Sequence, residues 1–392
     1  MSYDLILTGG RVIDPSQKID GVMDVGFSGG KVAKLGQGLA TGLEAGPETD
    51  VRDVSGYIVS PGLIDLHTHV YDGGTSLGIN AEHFARISGV TTAVDTGSAG
   101  PGNWPGFRHH VIERSQVRIL AYLHVSHAGI FGFSKRVMVG ESGDLRLMNP
   151  IEAVQVADAN RDVIVGIKVR VGLHASGNSG TVPLDIALQV ADETGLPLMA
   201  HIDHPPPSYE EVVERLRPGD ILTHCFRPFP NAPITAQGKV KPVVLAARER
   251  GVIFDIGHGQ GSFAFKTARA MLANGFPPDT ISSDVHALCI NGPAFDQVTT
   301  LSKFLCLGMP LDEVIARSTV EAAKALKRPE LGSLRPGSVG DATILSVKEG
   351  SFDYVDVTGE VLNGDRRILS EGVVIGGKWW HPQEAGAFRR SA

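Results

Sequence analysis

Five short apolar segments of this chain each end in side chains that can bind a metal ion. The segments end, in order, at His67-Thr68-His69, Lys168, His201, His224 and Asp284. A strand–helix–strand unit takes about 30 residues, and the intervals of 101, 33, 23 and 60 residues between these positions fit roughly three, one, one and two such units. The pattern therefore predicts that the ligands lie at the ends of strands 1, 4, 5, 6 and 8 of an eight-stranded α/β barrel, where such barrels keep their chemistry.

The middle of the chain alternates strand and helix patterns, whereas both ends contain only strand patterns and glycine turns. This alternation predicts a TIM-type (β/α)8 barrel over residues 58–340, with a small composite β-sandwich built from residues 1–57 and 341–392. The predicted barrel strands are 58–66, 90–95, 117–126, 163–168, 196–201, 220–224, 252–256 and 279–284.

The composition excludes several classes of protein. The net charge is −7 and no run is rich in Lys or Arg, so we expect neither a nucleic-acid partner nor an anionic membrane surface. Three cysteines favour a reducing compartment, and the N-terminal segment has no secretory pattern, so we expect a cytoplasmic protein. No apolar run reaches the roughly 18 residues of a membrane span.

The residue types at the strand ends indicate metal chemistry. His67 and His69 are two positions apart in an extended strand, so both imidazoles can face the barrel mouth. A buried Lys168 would repel a cation as an ammonium; it either pairs with Asp284 or reacts with carbon dioxide to give a carbamate that bridges two metals. Asp284 either binds metal and accepts a proton from water, or caps the next helix.

These motifs resemble the amidohydrolase superfamily. The similarity rests on VxPGLIDLHTH, on the lysine ending strand 4, on the histidines ending strands 5 and 6, and on the aspartate ending strand 8. The subtype implied is the binuclear one with a carboxylated lysine. The resemblance implies that one metal is held by His67, His69 and Asp284, and a second by His201 and His224, with N-carboxylated Lys168 between them.

The same resemblance implies a mechanism. Two divalent ions, with Zn²⁺ expected from the nitrogen and oxygen ligands, would share a bridging hydroxide. The hydroxide would attack the acyl carbonyl, and Asp284 would carry its proton to the leaving group. We also expect a small-molecule acylated acid as substrate and a homo-oligomeric assembly.

The substrate is less constrained by the sequence. The segments DTGSAGPGNWPGF, GIKVRVG, FDIGHGQGSFAF and SSDVHALC resemble a dihydroorotase-like branch whose members are deacetylases of α-hydroxy acid esters and N-acetyl-D-amino acids. Dihydroorotases have an arginine two residues after the second histidine, where this chain has Tyr71. The resemblance therefore favours hydrolysis of an acyl ester or amide beside a carboxylate.

Four further residues are predicted to contact this substrate. Arg170 and Arg227 follow metal-ligand positions and could each bind a carboxylate, or form ion pairs at the barrel rim. His258, between glycines, and His286 could donate hydrogen bonds, although His258 could equally be a turn residue.

Three alternatives stay open at this level. The first is a cyclic amidase similar to dihydroorotase, dihydropyrimidinase or hydantoinase. The second is a nucleobase deaminase, which usually uses one metal and no bridging lysine. The third is a non-catalytic scaffold, which tends to lose the metal ligands that are all present here.

Overall fold

The computed structural model describes residues 2–41 and 46–380, which form two β-sheets and the helices around them. The last part of the predicted sandwich, residues 381–392, lies outside the described residues. Within the described ranges, every helix is too short or too polar to cross a membrane.

The first sheet contains strands from both ends of the chain. Its strands are β1 (Leu5–Asp14), β2 (Ile19–Ser28), β3 (Lys31–Gly36), β4 (Asp50–Asp53), β5 (Ile58–Pro61), β13 (Ala342–Val355), β14 (Val361–Ile375) and β15 (Lys378–Trp380). They pair in the order β15-β14-β13-β5-β1-β2-β3, with β4 beside β1. The antiparallel pair of β5 with β13 joins the two ends, so the predicted sandwich is a single hydrogen-bonded sheet.

The second sheet is parallel and has seven strands in chain order. They are β6 (Leu63–Thr68), β7 (Val90–Thr96), β8 (Arg118–His124), β9 (Ile164–Val171), β10 (Leu198–Ile202), β11 (Ile221–Leu222) and β12 (Ile253–Phe254). Sequential order with parallel pairing is the arrangement of repeated strand–helix units. The order of these seven strands therefore agrees with the order predicted from the alternating strand and helix patterns of the sequence.

Ten α-helices accompany the strands within the described residues. They are α1 (Ala81–Ser88), α2 (Trp104–His110), α3 (Pro150–Ala159), α4 (Val182–Thr194), α5 (Tyr209–Val213), α6 (Pro242–Glu249), α7 (Phe265–Ala273), α8 (Gln297–Cys306), α9 (Leu311–Arg317) and α10 (Val320–Ala325). Ser208 begins α5 with a capping box to Glu211. Gly195 ends α4 in the left-handed conformation that glycine favours.

The single strand predicted over 58–66 is two strands, and this is a correction. Residues up to Pro61 belong to the first sheet, and the barrel begins only at Leu63. The chain passes between the sheets at Gly62, where an added Cβ would lie 2.2 Å from the Thr91 hydroxyl oxygen. A side chain there would prevent the close approach of the two sheets.

The eighth predicted strand, 279–284, is also corrected, because it forms no regular strand. It still closes the barrel through isolated parallel bridges, Asp255 to Thr280 on one side and Thr68 to Val285 on the other. Regular pairing ends here, since the Ser283 amide donates to the Asp65 Oδ1 at 3.0 Å and Asp284 has a φ of 48°, in the left-handed region. The Asp284 amide donates to the His67 carbonyl oxygen at 2.7 Å, which holds this segment against β6.

The barrel interior is a small apolar core below the predicted ligands. It combines one or two buried side chains from each of several strands with the alanines of α10: Ile64, Leu66, Val94, Leu120, Tyr122, Val165, Met199, Ile221, Ala322, Ala323 and Ala325. Layers of strand side chains fill such barrels. The predicted ligands above this core are therefore supported by closely packed apolar side chains.

Candidate metal centre

The Nε2 atoms of His67, His69 and His224 face the same space, because the Nδ1 atom of each ring lies against a hydrogen-bond partner. The His224 Nδ1 donates to the Gly257 carbonyl oxygen at 2.7 Å. The His67 Nδ1 lies 2.8 Å from the Thr223 Oγ1, and that hydroxyl donates in turn to Asp255, so the His67 Nδ1 must carry the proton. The His69 Nδ1 lies 2.9 Å from the Ser98 Oγ. Such bonds fix the ring and leave the Nε2 lone pair for a metal.

The Asp284 carboxylate lies among these Nε2 atoms. Its Oδ1 is 3.1 Å from the His69 Nε2 and 3.4 Å from the His67 Nε2. The His201 and His224 rings complete the group, with ring centroids 4.5 Å apart. The predicted ligands from five segments of the barrel therefore converge on one cavity, although Lys168 lies inside β9 and not at its end.

Two buried polar atoms in this group have no hydrogen-bond partner in the described part of the chain. They are the Nε2 of His201 and the Oδ1 of Asp284. Leaving buried polar groups unpaired is costly, whereas a divalent cation would satisfy both. A set of imidazole nitrogens with a carboxylate oxygen suits zinc or a similar ion, so the residues fit a metal centre.

Burial keeps the imidazoles neutral, as metal ligands must be. Loss of solvation lowers the pKa of His69 to about 3 and holds the pKa values of His67, His201 and His224 well below their ordinary range. These rings are therefore ready to donate lone pairs at neutral pH.

Lys168 is completely buried beside the histidines. Its Nζ lies 3.4 Å from the His67 Nε2 and 3.5 Å from the Met199 Sδ. Burial lowers the pKa of Lys168 to about 7. Within residues 2–41 and 46–380 Lys168 forms no salt bridge within 4.0 Å, although the charge of Asp284 acts on it and opposes the lowering of its pKa. A neutral amine is the form that reacts with carbon dioxide.

Three of the four predicted substrate residues line a cavity of ≈ 260 Å³ above the metal ligands: Arg170, Arg227 and His286. The Arg170 Nη1 donates to the buried Glu141 carboxylate at 3.0 Å, so the rim ion pair also occurs. The Arg227 Nη1 donates to the Ile202 carbonyl oxygen, and its buried Nε has no partner among the described residues.

His258 does not line this cavity, which corrects its prediction as a substrate contact. Its ring stacks on Phe263 at 4.7 Å and is fully buried. The Nδ1 lies 3.0 Å from the Gly259 carbonyl oxygen, and the Nε2 lies 2.7 Å from the Lys303 Nζ. Both ring nitrogens are thus engaged inside the protein, in agreement with the turn-residue alternative.

Two buried residues next to Arg170, Glu141 and His124, were not predicted from the sequence. Glu141 accepts hydrogen bonds from Arg170 and lies 3.2 Å from the His124 Nε2. Glu141 belongs to the long segment between β8 and α3, which has no periodic pattern to place it. His124 ends β8, and that strand-end position is the signal that could have indicated it.

Known proteins with similar sequences and structures are hydrolases. The chain is 34% identical over 347 residues to a deacetylase of Agrobacterium fabrum, covering 88% of this chain and 84% of that protein. A solved dihydroorotase structure is 32% identical, covers 97% of this chain and 99% of its own, and has a TM-score of 0.87. A solved adenine deaminase is 27% identical, covers 97% and 100%, and has a TM-score of 0.88. No protein-family model matches the chain.

The chain therefore belongs to the amidohydrolase superfamily, whose TIM-barrel fold agrees with the parallel barrel described above. Within that superfamily it is a hydrolase whose similar proteins carry the names deacetylase and dihydroorotase.

Proposed function

We propose that the protein is a metal-dependent deacylase of small acids, acting on acetylated α-hydroxy acids and N-acetyl-D-amino acids. The observation that carries this proposal is the position of Arg170 and Arg227 in the wall of the cavity above the histidine cluster. A carboxylate bound by an arginine places the neighbouring acyl bond within reach of the metal ligands. Similarity to a named deacetylase supports the same reaction.

The predicted ligands would hold two metal ions, most readily Zn²⁺. His67, His69 and Asp284 would hold one, His201 and His224 the other, and Lys168 as a carbamate would lie between them. Bound metal ions lower the pKa of water towards about 7 and polarise an acyl carbonyl.

Asp284 is the residue best placed to move a proton. Its Oδ1 faces the Nε2 atoms of His67 and His69, and its side chain also lines the cavity. Burial raises the pKa of the Asp284 carboxyl to about 6. It would take the proton from the attacking water and pass it to the leaving oxygen or nitrogen.

The cavity also selects the rest of the substrate. Its apolar wall consists of Leu77, Ile130, Phe133 and Met138. This wall lies in the same cavity as the arginines, so it can pack the side chain of an acid whose carboxylate they hold. The proposal therefore favours apolar acyl acids over highly polar ones.

A cyclic amidase is the second candidate, and the similarity to a solved dihydroorotase favours it. The arginine expected of dihydroorotases is replaced by Tyr71. That side chain stacks on Phe107 with ring centroids 4.6 Å apart, and its hydroxyl donates to the Asn103 carbonyl oxygen at 3.2 Å. Tyr71 is thus held in the protein core and offers no positive charge to the cavity.

Hydrolysis of a matched substrate panel by the zinc-loaded protein tests both candidates. The panel contains N-acetyl-D- and L-amino acids, O-acetyl α-hydroxy acids, dihydroorotate and dihydrouracil. Cleavage of the acetylated acids with one enantiomer preferred is the expected result. Ring opening without cleavage of any acetylated acid would replace the deacylase by the cyclic amidase.

A further inference from the structure

A second group of metal-binding side chains lies at the cavity rim, next to the centre described above, with the Asp203 Oδ2 4.0 Å from the His201 Nε2. In the residues that the structure describes, only two sets of three His, Cys, Asp or Glu side chains bring their ligand atoms within 4.8 Å of one another. One set is His67, His224 and Asp284 of the main centre. The other is His174, Asp203 and His204, and all three residues line the cavity.

The backbone of this second group is held firmly in place. The chain continues beyond β9 and β10 side by side, because the Asp203 amide donates to the Val171 carbonyl oxygen at 3.0 Å and the Leu173 amide donates to that of His204 at 2.7 Å. Three prolines follow His204 and restrict the backbone there. The two imidazoles therefore project from a preformed frame.

Asp203 is the fixed ligand of the group. Its carboxylate is buried and accepts the amides of His174 at 3.2 Å and Ala175 at 2.9 Å, one on each oxygen. Each carboxylate oxygen keeps a second lone pair for another partner. Gly172 allows this packing, since an added Cβ there would lie 2.2 Å from the Asp203 Oδ1.

The two histidines supply the remaining ligands of the group. Both are exposed, and their rings meet edge to face with centroids 5.2 Å apart. No hydrogen bond from either imidazole to another described residue is found, so their nitrogens are open to a ligand. The three ligand atoms already lie within 4.8 Å of one another, and small changes of side-chain torsion would draw them around one ion.

We propose that His174, Asp203 and His204 bind a further divalent transition-metal ion at the cavity mouth. Imidazole and carboxylate ligands suit Zn²⁺, and three protein ligands leave positions open towards the cavity. Those positions would accept water or an oxygen of an anionic ligand. The site binds more weakly than the main centre, because its histidines are exposed and the cation Arg227 lines the same cavity.

Zinc binding to the holoenzyme tests the proposal. The wild type and the variants His174→Gln and His204→Gln are dialysed against buffers of rising free Zn²⁺, and bound zinc is measured by inductively coupled plasma mass spectrometry. The matched control is His110→Gln, which changes an exposed histidine at the end of α2. Thermal unfolding confirms that all four proteins are folded.

The wild type and the control are expected to bind one more equivalent than either rim variant, or to bind it at least about tenfold more tightly. Identical binding curves for all four proteins would overturn the proposal. Failure of the main centre gives a different result, because it removes equivalents from all four proteins alike and leaves the difference between them unchanged.

Discussion

Lys168 is the predicted ligand that must change chemically before it can bind a metal ion. We expect Lys168→Ala to lose activity by at least about 10²-fold, since the proposed bridge between the metals is removed. Short carboxylic acids such as acetate should restore part of it by occupying the space of the carbamate. Steady-state kinetics with and without added acid measure this, with Lys348→Ala on an exposed position of β13 as control. Full activity of Lys168→Ala without acid would refute the bridging role.

Substitution of Asp284 tests proton transfer separately from metal binding. Asp284→Asn keeps an oxygen that can bind metal but removes the base, so we expect kcat to fall by about 10²–10⁴-fold while most of the zinc is retained. Parallel measurement of kcat and zinc content checks this. Near-normal turnover would exclude Asp284 as the proton carrier.

Substitution of Arg227 tests directly whether the protein recognises the charge of a substrate carboxylate. Its Nε is buried without a partner among the described residues, so a substrate carboxylate would satisfy it. We expect Arg227→Lys to lower kcat/KM for an N-acetylamino acid by about 10- to 100-fold, the value of a charged hydrogen bond of roughly 1.5–3 kcal/mol. For the corresponding substrate with an uncharged amide in place of the carboxylate, kcat/KM should be the same in Arg227→Lys as in the wild type. An equal loss with both substrates would mean that the arginine is structural.

At the scale of elements, Lys303 of α8 links three separate parts of the chain. Its Nζ donates to the His258 Nε2 at 2.7 Å and to the carbonyl oxygens of Pro293 and Val355 at 2.8 Å each. These three acceptors use all three protons of an ammonium. Lys303 therefore connects the loop after β12 to the C-terminal sheet and explains why His258 faces away from the cavity.

Lys303→Met should destabilise the fold strongly. Each buried acceptor that loses its donor costs about 1–3 kcal/mol, so the urea midpoint should fall clearly. The matched control is Lys324→Met, which changes an exposed lysine of α10 paired with Glu321 and should alter stability by less than about 0.5 kcal/mol. Equal stability of the two variants would show that the link contributes nothing.

The strand-end residues were predictable because apolar periodicity places them independently of distant contacts. His201 lies near the end of β10 and His224 lies two residues after β11, and both reach the metal centre. His258 occupies a similar position, but Lys303, 45 residues later, turns it away. That contact, like the one between Glu141 and Arg170, joins segments that share no local pattern, so only the folded chain reveals it.

For the whole molecule, the proposed metals connect the first and last segments of the barrel. Asp284 comes from the closing segment, which lacks regular strand pairing, whereas His67 lies in β6 and His69 directly follows it on the other side of the closure. Metal that binds only the folded protein stabilises it by about 2.7 kcal/mol when free metal is 100 times Kd. Removal with a chelator should therefore lower the melting temperature and expose the closing segment first.

Differential scanning calorimetry and hydrogen exchange together measure this effect. Zn²⁺ should restore both the melting temperature and the protection of amides in residues 279–285, whereas Mg²⁺, which prefers oxygen ligands, should restore neither. The His204→Gln variant should recover as the wild type does, because its rim position lies outside the closure. A melting temperature that is the same with and without metal would mean that the polar closure is held by its own hydrogen bonds, such as that from Asp284 to His67.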